Sequence, residues 1–255
     1  MRDGDAWMEV GDALAASTAV GVTRIVQIGC DLPGARWAVD VAAAHSAIVA
    51  GVALHPNEAP RIAATQGRAA LEQAWDEIDA LAAHERVRAV GETGLDFFRT
   101  RGEGLAVQEE SFRRHIALAR EHDKALVIHD RDAHDDVLRV LTEEGAPRTV
   151  VFHCFSGDAA MARTCVEHGW VLSFAGTVTF KNAQNLRDAL AVTPIEHLLV
   201  ETDAPFLTPT PYRGRPNASF LVPLTVRAMA QVKGIGEDEL AAAIDANGTR
   251  VFGPF

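Results

Sequence analysis

Four short apolar runs in the chain each end in a side chain that can bind a metal ion. Their last residues are Glu92, His129, His153 and Asp203. A buried strand gains nothing from an unpaired carboxylate or imidazole at its end, because burial removes the hydration of these groups without replacing it. Four such strand ends that lie side by side would instead form one polar site. This feature restricts the chain to folds that gather strand ends.

Strands and helices are predicted to alternate along the chain. Amphipathic stretches indicate helices at residues 68–84 and 106–122, and another that follows Asp31 and carries Trp37 and Val41 on one face. Short apolar runs predict seven strands, at residues 22–30, 48–55, 88–92, 126–129, 150–153, 171–175 and 198–203. Strict alternation of this kind is typical of an α/β protein with a parallel sheet.

The four strand-end residues favour a closed ring of strands. They are separated by 37, 24 and 50 residues, which correspond to about one, one and two strand-plus-helix units of a barrel. An open doubly wound sheet places its site at a single switch point, and the chain has no Gly-rich dinucleotide fingerprint. We therefore predict a TIM-type (β/α)8 barrel that carries its chemistry at the carboxyl ends of its strands.

The barrel has eight strands and the pattern supplies seven. Residues 5–20 predict a helix with Trp7, Val10, Leu14 and Ala15 facing inward, so no strand precedes it and strand 1 is expected to be absent from this chain. No linker or change of composition divides the sequence. We therefore expect a single domain over residues 1–255.

Composition excludes several classes of function. No window approaches the length of apolar sequence that a membrane span requires, and the formal charge of −11 argues against a protein that coats nucleic acid. Cys30, Cys154 and Cys165 form no CxxC pair and are an odd number, which fits a reducing compartment. We expect a cytoplasmic protein without a membrane or an obligate protein partner.

The candidate ligands combine two kinds of donor. Glu92 and Asp203 offer carboxylate oxygens, while His129 and His153 offer imidazole nitrogens, a mixture that suits Zn²⁺, Mn²⁺ or Fe²⁺ and, less well, Mg²⁺. Only a carboxylate can bridge two cations, which makes Glu92 the candidate bridge. Two cations can activate a shared water and stabilise a phosphoryl centre. The residues alone therefore indicate hydrolysis, with phosphodiester, amide and lactone substrates left open.

The motifs resemble those of the TatD-type metal-dependent deoxyribonucleases, which belong to the wider amidohydrolase-like barrels. The matching stretches, which together run from residue 22 to the C-terminus, are GVALHP (51–56), AVGETGLDF (89–97), IHDR (128–131), FHCFSG (152–157), VETDAPFL (200–207) and NGTRVF (247–252). The resemblance implies cleavage of DNA, with single-stranded 3′ ends the expected substrate.

The resemblance also implies roles for the four strand-end residues. Glu92 would bridge two divalent cations, Mg, Mn or Zn, and His129 and His153 would hold the second. Asp203 would hold the first cation and take the proton of the metal-activated water. The family holds the first cation also through a D-x-H-x-H segment at the end of strand 1, which this sequence lacks. The first-metal site is thus expected to be incomplete, and we expect the native polypeptide to start upstream of Met1.

Further residues are candidates for supporting roles. Glu201, one layer deeper on the strand of Asp203, is expected to orient a ligand or a loop. Predicted substrate contacts are His55, Arg131, Arg213 and Asn217, the arginines because they can grip phosphate oxygens. The remaining histidines fall on expected helices or connectors and are predicted at the surface: His45, His84, His115, His122, His134, His168 and His197.

Two alternatives to a deoxyribonuclease remain at this point. One is another hydrolase on the same barrel, with an amide or lactone substrate. The basic residues of the predicted rim and the absence of a lysine at a strand end, which such enzymes can carbamylate, argue against it. The other is a truncated and catalytically impaired barrel. The metal content of the chain and the release of mononucleotides from single-stranded DNA would separate these possibilities.

Overall fold

Parallel strands alternate with helices through most of the chain, as the sequence pattern predicts. The computed structural model describes residues 2–3 and 6–255, with side chains from residue 8 onward. The strands are β1 (Arg2–Asp3), β2 (Ala6–Trp7), β3 (Ile25–Gly29), β4 (Ile48–Val52), β5 (Val87–Asp96), β6 (Ala125–Arg131), β7 (Val150–Phe152), β8 (Val171–Phe174) and β9 (Leu198–Val200). The helices are α1 (Val10–Thr18), α2 (Leu32–Ala44), α3 (Glu58–Gln66), α4 (Arg68–Ala82), α5 (Gly104–Glu121), α6 (His134–Glu144), α7 (Ala159–Glu167), α8 (Gln184–Val192), α9 (Val222–Lys233) and α10 (Glu237–Phe252).

The chain divides into two compact units. The larger unit consists of Val26–His153 and Val251–Phe255, and the smaller unit of Met1–Ile25 and Cys154–Arg250. The α/β class is confirmed. Closure into an eight-stranded barrel, the absence of a first strand and the single domain over residues 1–255 stay predictions.

The larger unit is built on strands in the order β3-β4-β5-β6-β7. The pairs β4–β5, β5–β6 and β6–β7 are parallel. Every residue of β4 is buried, because helices cover parallel strands on both faces and the strands can therefore be apolar throughout. Asp31 caps the N-terminus of helix α2, because its carboxylate accepts a hydrogen bond of 2.7 Å from the Gly34 N–H.

Strand β5 is longer than the sequence pattern predicts. The predicted strand ends at Glu92, whereas the ladder to β6 continues until Asp96 pairs with Arg131. The predicted strand was too short because the polar residues from Glu92 onward resemble the start of a loop. The extension carries Asp96 along the same strand as Glu92.

The smaller unit contains the parallel pair β8–β9 and four of the long helices, α1 and α7 to α9, together with most of α10. The predicted helix over residues 5–20 is shorter in the structure, and β1 pairs antiparallel with β2 ahead of it. Asp5 and the side chain of Trp7 lie outside what the structure describes. Ala15 is exposed, and helix α1 instead buries Ala13 and Ser17, whose hydroxyl donates to the Ala13 carbonyl. Of the predicted inward residues, Val10 and Leu14 are half-buried, whereas the prediction for Ala15 was wrong.

Two aromatic predictions in the larger unit are also corrected. Trp37 is 48% exposed, because α2 packs through small residues such as Ala35 and Ala38. His115, expected at the surface, is 1% exposed within α5. Among the described helices, none is long and apolar enough to cross a membrane.

Candidate metal centre

Glu92 occupies an irregular position in β5. Gly91 pairs with Val127 and Thr93 with Ile128, so Glu92 is an extra residue without a partner in the ladder to β6. Such a bulge turns a side chain away from the regular alternation of the strand. Two residues further, Gly94 has φ = 134°, and a Cβ there would lie 2.1 Å from the His129 carbonyl oxygen. Glycine is therefore required where β5 passes His129.

Three histidines from neighbouring strands surround the Glu92 carboxylate. His153 Nε2 lies 2.8 Å from Oε2, while His55 Nε2 and His129 Nδ1 lie 3.1 and 3.7 Å from Oε1. The His55 and His129 rings meet edge to face at 4.5 Å between centroids. All four side chains are at most 20% exposed. The structure thus brings together Glu92, His129 and His153, and adds His55.

The pKa values of Glu92 and His129 are shifted in opposite directions in this cluster. Burial by itself would raise the pKa of Glu92, but the charge of His153 and the three imidazoles beside the carboxylate outweigh it, so that the pKa lies well below its ordinary value. Burial lowers the pKa of His129, whereas Asp96 and Glu92 raise it, and the net direction is upward. The lowered pKa favours the anionic form of Glu92, the form that binds a metal ion.

Asp96 is a component of the site that the sequence analysis missed. Its carboxylate is 1% exposed and its Oδ2 lies 3.5 Å from His129 Nε2. It also accepts hydrogen bonds of 2.8 Å from Asn57 Nδ2 and 2.8 Å from the Arg99 N–H. The signal in the sequence was the spacing: residues four apart on a strand share a face, so a longer predicted β5 would have put Asp96 on the face of Glu92.

His55 has its second ring nitrogen occupied. The Asn57 N–H donates to His55 Nδ1 over 3.1 Å. A neutral imidazole whose Nδ1 accepts must carry its proton on Nε2, the atom that faces Glu92. His55 is close enough to be grouped with Glu92 and His129 as a possible metal ligand. Its hydrogen bonding makes it a donor instead.

The loop that carries Asp203 belongs to the smaller unit. Asp203 follows β9 with a left-handed φ of 57°, and Glu201 continues the ladder, since its N–H donates to the Phe174 carbonyl. Asn217 is fully buried, and its amide donates to the carbonyls of Thr202 (2.7 Å) and Phe206 (2.8 Å). Both of its donors therefore hold the loop, and neither is left for a substrate.

The two candidate phosphate-binding arginines stack on aromatic rings. Within the larger unit, Arg131 lies 3.9 Å from the centroid of Phe98, which is 53% exposed. Within the smaller unit, the exposed Arg213 lies 4.1 Å from the centroid of Phe180. Stacking fixes the plane of each guanidinium and leaves its N–H edges available.

The donor set fits a divalent cation. A buried carboxylate with imidazole nitrogens approaching both of its oxygens is the ligand chemistry of Zn²⁺, Mn²⁺ and Fe²⁺. Glu92, His129 and His153 would hold the ion at the carboxyl ends of parallel strands. Fold and site together define a class, the α/β enzymes that use a divalent cation for hydrolysis.

Comparison with known proteins narrows this class. The family model described as TatD related DNase matches residues 6–253. A metal-dependent hydrolase named TatD from Mycobacterium tuberculosis is 46% identical over 99% of this chain and 93% of its own length. The hydrolase YabD of Bacillus subtilis is 38% identical over 96% of this chain and 92% of its own length. The crystal structure of YJJV, a TatD homolog of Escherichia coli, superposes with a TM-score of 0.84 at 26% identity, covering 95% of this chain and 91% of that one.

The chain therefore belongs to the TatD-related DNase family, and it is a metal-dependent hydrolase. The family resemblance found in the sequence motifs is confirmed over nearly the whole chain.

Proposed function

We propose that this hydrolase cleaves phosphodiester bonds of DNA, removing nucleotides from single-stranded 3′ ends. The observation that carries the proposal is the buried carboxylate of Glu92, with nitrogens of His153 and His129 at 2.8 and 3.7 Å from its oxygens. Such a carboxylate is suited to bridging two cations. The DNA substrate is supported by the family, whose model bears the description TatD related DNase.

Each ligand has a separate task in this proposal. A pair of divalent cations, when bound, supplies a water of lowered pKa and neutralises charge on the phosphoryl oxygens. Glu92 provides the anionic bridge, because its lowered pKa keeps it deprotonated. His129 and His153 would hold the second cation through neutral imidazole nitrogens. By the family resemblance, Asp203 would hold the first cation and accept the proton of the attacking water, and Glu201 would orient the strand end from which Asp203 projects.

Three groups are proposed as substrate contacts. His55 can donate its Nε2 proton to a phosphate oxygen in place of Glu92, since both acceptors are anionic oxygens. Arg131 and Phe98 present a stacked cation and ring to which an unpaired base and its phosphate can bind. Arg213, stacked on Phe180, offers a second guanidinium to phosphate. In this proposal Asn217 shapes the loop of Asp203 rather than touching DNA.

The cysteine content of the sequence supports action in the cytoplasm. The chain has three cysteines, an odd number without a CxxC pair, which fits a reducing compartment. We propose that the enzyme works there on DNA ends, without a membrane or an obligate protein partner.

The test is nucleotide release from a 5′-labelled single-stranded oligonucleotide with added Mg²⁺ or Mn²⁺. We expect a ladder of products shortened from the 3′ end, and none with chelator. Glu92→Gln should abolish the ladder, while Glu85→Gln, the same charge change at an exposed site, should retain it. Amide and lactone substrates are assayed in parallel. Turnover of these without any cleavage of DNA would refute the proposed substrate.

A further inference from the structure

His129 lies between two carboxylates that approach different nitrogens of its ring. Nδ1 is 3.7 Å from Glu92 Oε1, and Nε2 is 3.5 Å from Asp96 Oδ2. A neutral imidazole carries one proton, and only the other nitrogen can bind a cation. Which carboxylate the proton faces therefore decides which nitrogen of His129 becomes the ligand.

Both oxygens of Asp96 already accept hydrogen bonds, which suits Asp96 to be an acceptor rather than a metal ligand. Oδ1 accepts from the Arg99 N–H and Oδ2 from Asn57 Nδ2, both at 2.8 Å. These donors, and the burial of Asp96 to 1% exposure, fix its Oδ2 at 3.5 Å from His129 Nε2. Glu92, by contrast, forms its ion pairs with imidazole nitrogens, which a cation can replace as partners.

The orientation of the Asn57 amide is fixed by its own neighbours. Its oxygen accepts from the Thr100 hydroxyl at 2.7 Å and from Gln108 Nε2 at 3.2 Å. Gln108 is held in turn, because its Oε1 accepts from the Asp96 N–H at 3.0 Å. A flipped amide would set Nδ2 against these donors. Asn57 therefore points Nδ2 at Asp96.

We propose that Asn57 and Asp96 set opposite roles for the two histidines beside Glu92. Asp96 is a positioning residue that keeps the proton of His129 on Nε2 and so leaves Nδ1 for the cation. The Asn57 N–H occupies Nδ1 of His55 and so keeps the proton of His55 on Nε2. His129 is thereby a ligand and His55 a hydrogen-bond donor, although both rings lie against the same oxygen. Carboxylates behind ligating histidines fix their tautomers in this way in metal sites generally.

The inference rests on the cation centre of the proposed function, but its test measures metal binding in the absence of DNA. Co²⁺ serves as the probe, titrated into the purified chain and followed by calorimetry and by its visible absorption. Asp96→Asn should weaken Co²⁺ binding by about tenfold to a hundredfold. His55→Gln, which retains a side-chain N–H donor, should leave the Co²⁺ affinity and the absorption bands unchanged, because no ligand is lost.

The matched control is Asp130→Asn. Asp130, on β6, is a nearly buried aspartate like Asp96, and its Oδ2 pairs with His134 Nδ1 at 2.7 Å. Its replacement removes the same charge from the neighbourhood and should leave Co²⁺ affinity unchanged. Asn57→Ala keeps the charge of Asp96 and removes only its amide partner, so its affinity should fall between those of the wild type and Asp96→Asn.

A ring-nitrogen NMR experiment on ¹⁵N-histidine protein separates positioning from simple loss of structure. At alkaline pH without metal, His129 of the wild type should show protonated Nε2 and bare Nδ1, and Asp96→Asn should shift the proton toward Nδ1. Unchanged tautomer and Co²⁺ affinity in Asp96→Asn, or lost absorption bands in His55→Gln, would overturn the inference. If the wild type binds no Co²⁺, the cation centre itself is refuted.

Discussion

His115 makes the protein lose stability in mild acid. The ring is buried in α5, where Nε2 accepts from the Leu54 N–H at 3.2 Å and Nδ1 lies 2.6 Å from the Ser111 carbonyl oxygen, to which it donates. A second ring proton on Nε2 would face the Leu54 donor. Burial lowers the pKa of His115 to about 4, with the Ser111 carbonyl opposing the shift and Arg114 adding to it.

The size of the effect follows from the difference in pKa between the two states. The unfolded chain takes up a proton on this ring below about pH 6.5, whereas the folded chain does so only near 4, so acid favours unfolding between these values. A difference of about 2.5 pKa units corresponds to about 3 kcal/mol when complete. Going from about pH 8 to about pH 5 should therefore cost about 2 kcal/mol through this residue.

The assay is urea unfolding followed by tryptophan fluorescence at both pH values. His115→Gln cannot titrate, so the free-energy gap between wild type and variant should shrink by about 2 kcal/mol from pH 8 to pH 5. Phe112→Leu, a buried change one turn away on α5, should cost about 1 kcal/mol equally at both pH values. A gap for His115→Gln that is the same at both pH values would refute a neutral buried His115.

Three further predictions concern residues that shape or flank the centre. Gly94→Ala should abolish Co²⁺ binding measured by calorimetry, because a Cβ would lie 2.1 Å from the His129 carbonyl oxygen; retained binding would contradict the close approach. Asn217→Ala should lower the free energy of unfolding by about 2 kcal/mol, since two carbonyls of the Asp203 loop lose a donor, and a change near zero in urea would argue against it. Phe98→Ala should raise KM for single-stranded DNA while kcat stays the same; an unchanged KM would exclude base stacking there.

Much of the cluster was accessible from the sequence because strand ends carry their own signal. Apolar runs that stop at Glu92, His129 and His153 place these residues at the same edge of a parallel sheet, whatever the helices do. The family motifs then supplied the likeness to known hydrolases. Neither source depended on the details of packing.

The remainder depended on contacts between distant segments. The bulge at Glu92 and the extension of β5 to Asp96 arise from pairing with β6, which local propensity does not encode. His115 has the sequence of an ordinary helix residue and is buried because the end of β4 needs an acceptor for Leu54. Asn217 lies in a polar stretch, yet its amide is drawn inward by two loop carbonyls.

The most direct measurement is the anomalous diffraction of a crystal grown with Zn²⁺. We expect a peak about 2.0–2.2 Å from a Glu92 oxygen, His129 Nδ1 and His153 Nε2, with His55 Nε2 outside the coordination shell. A crystal that shows no peak at Glu92, or a peak bound through His55 in place of His129, would contradict it.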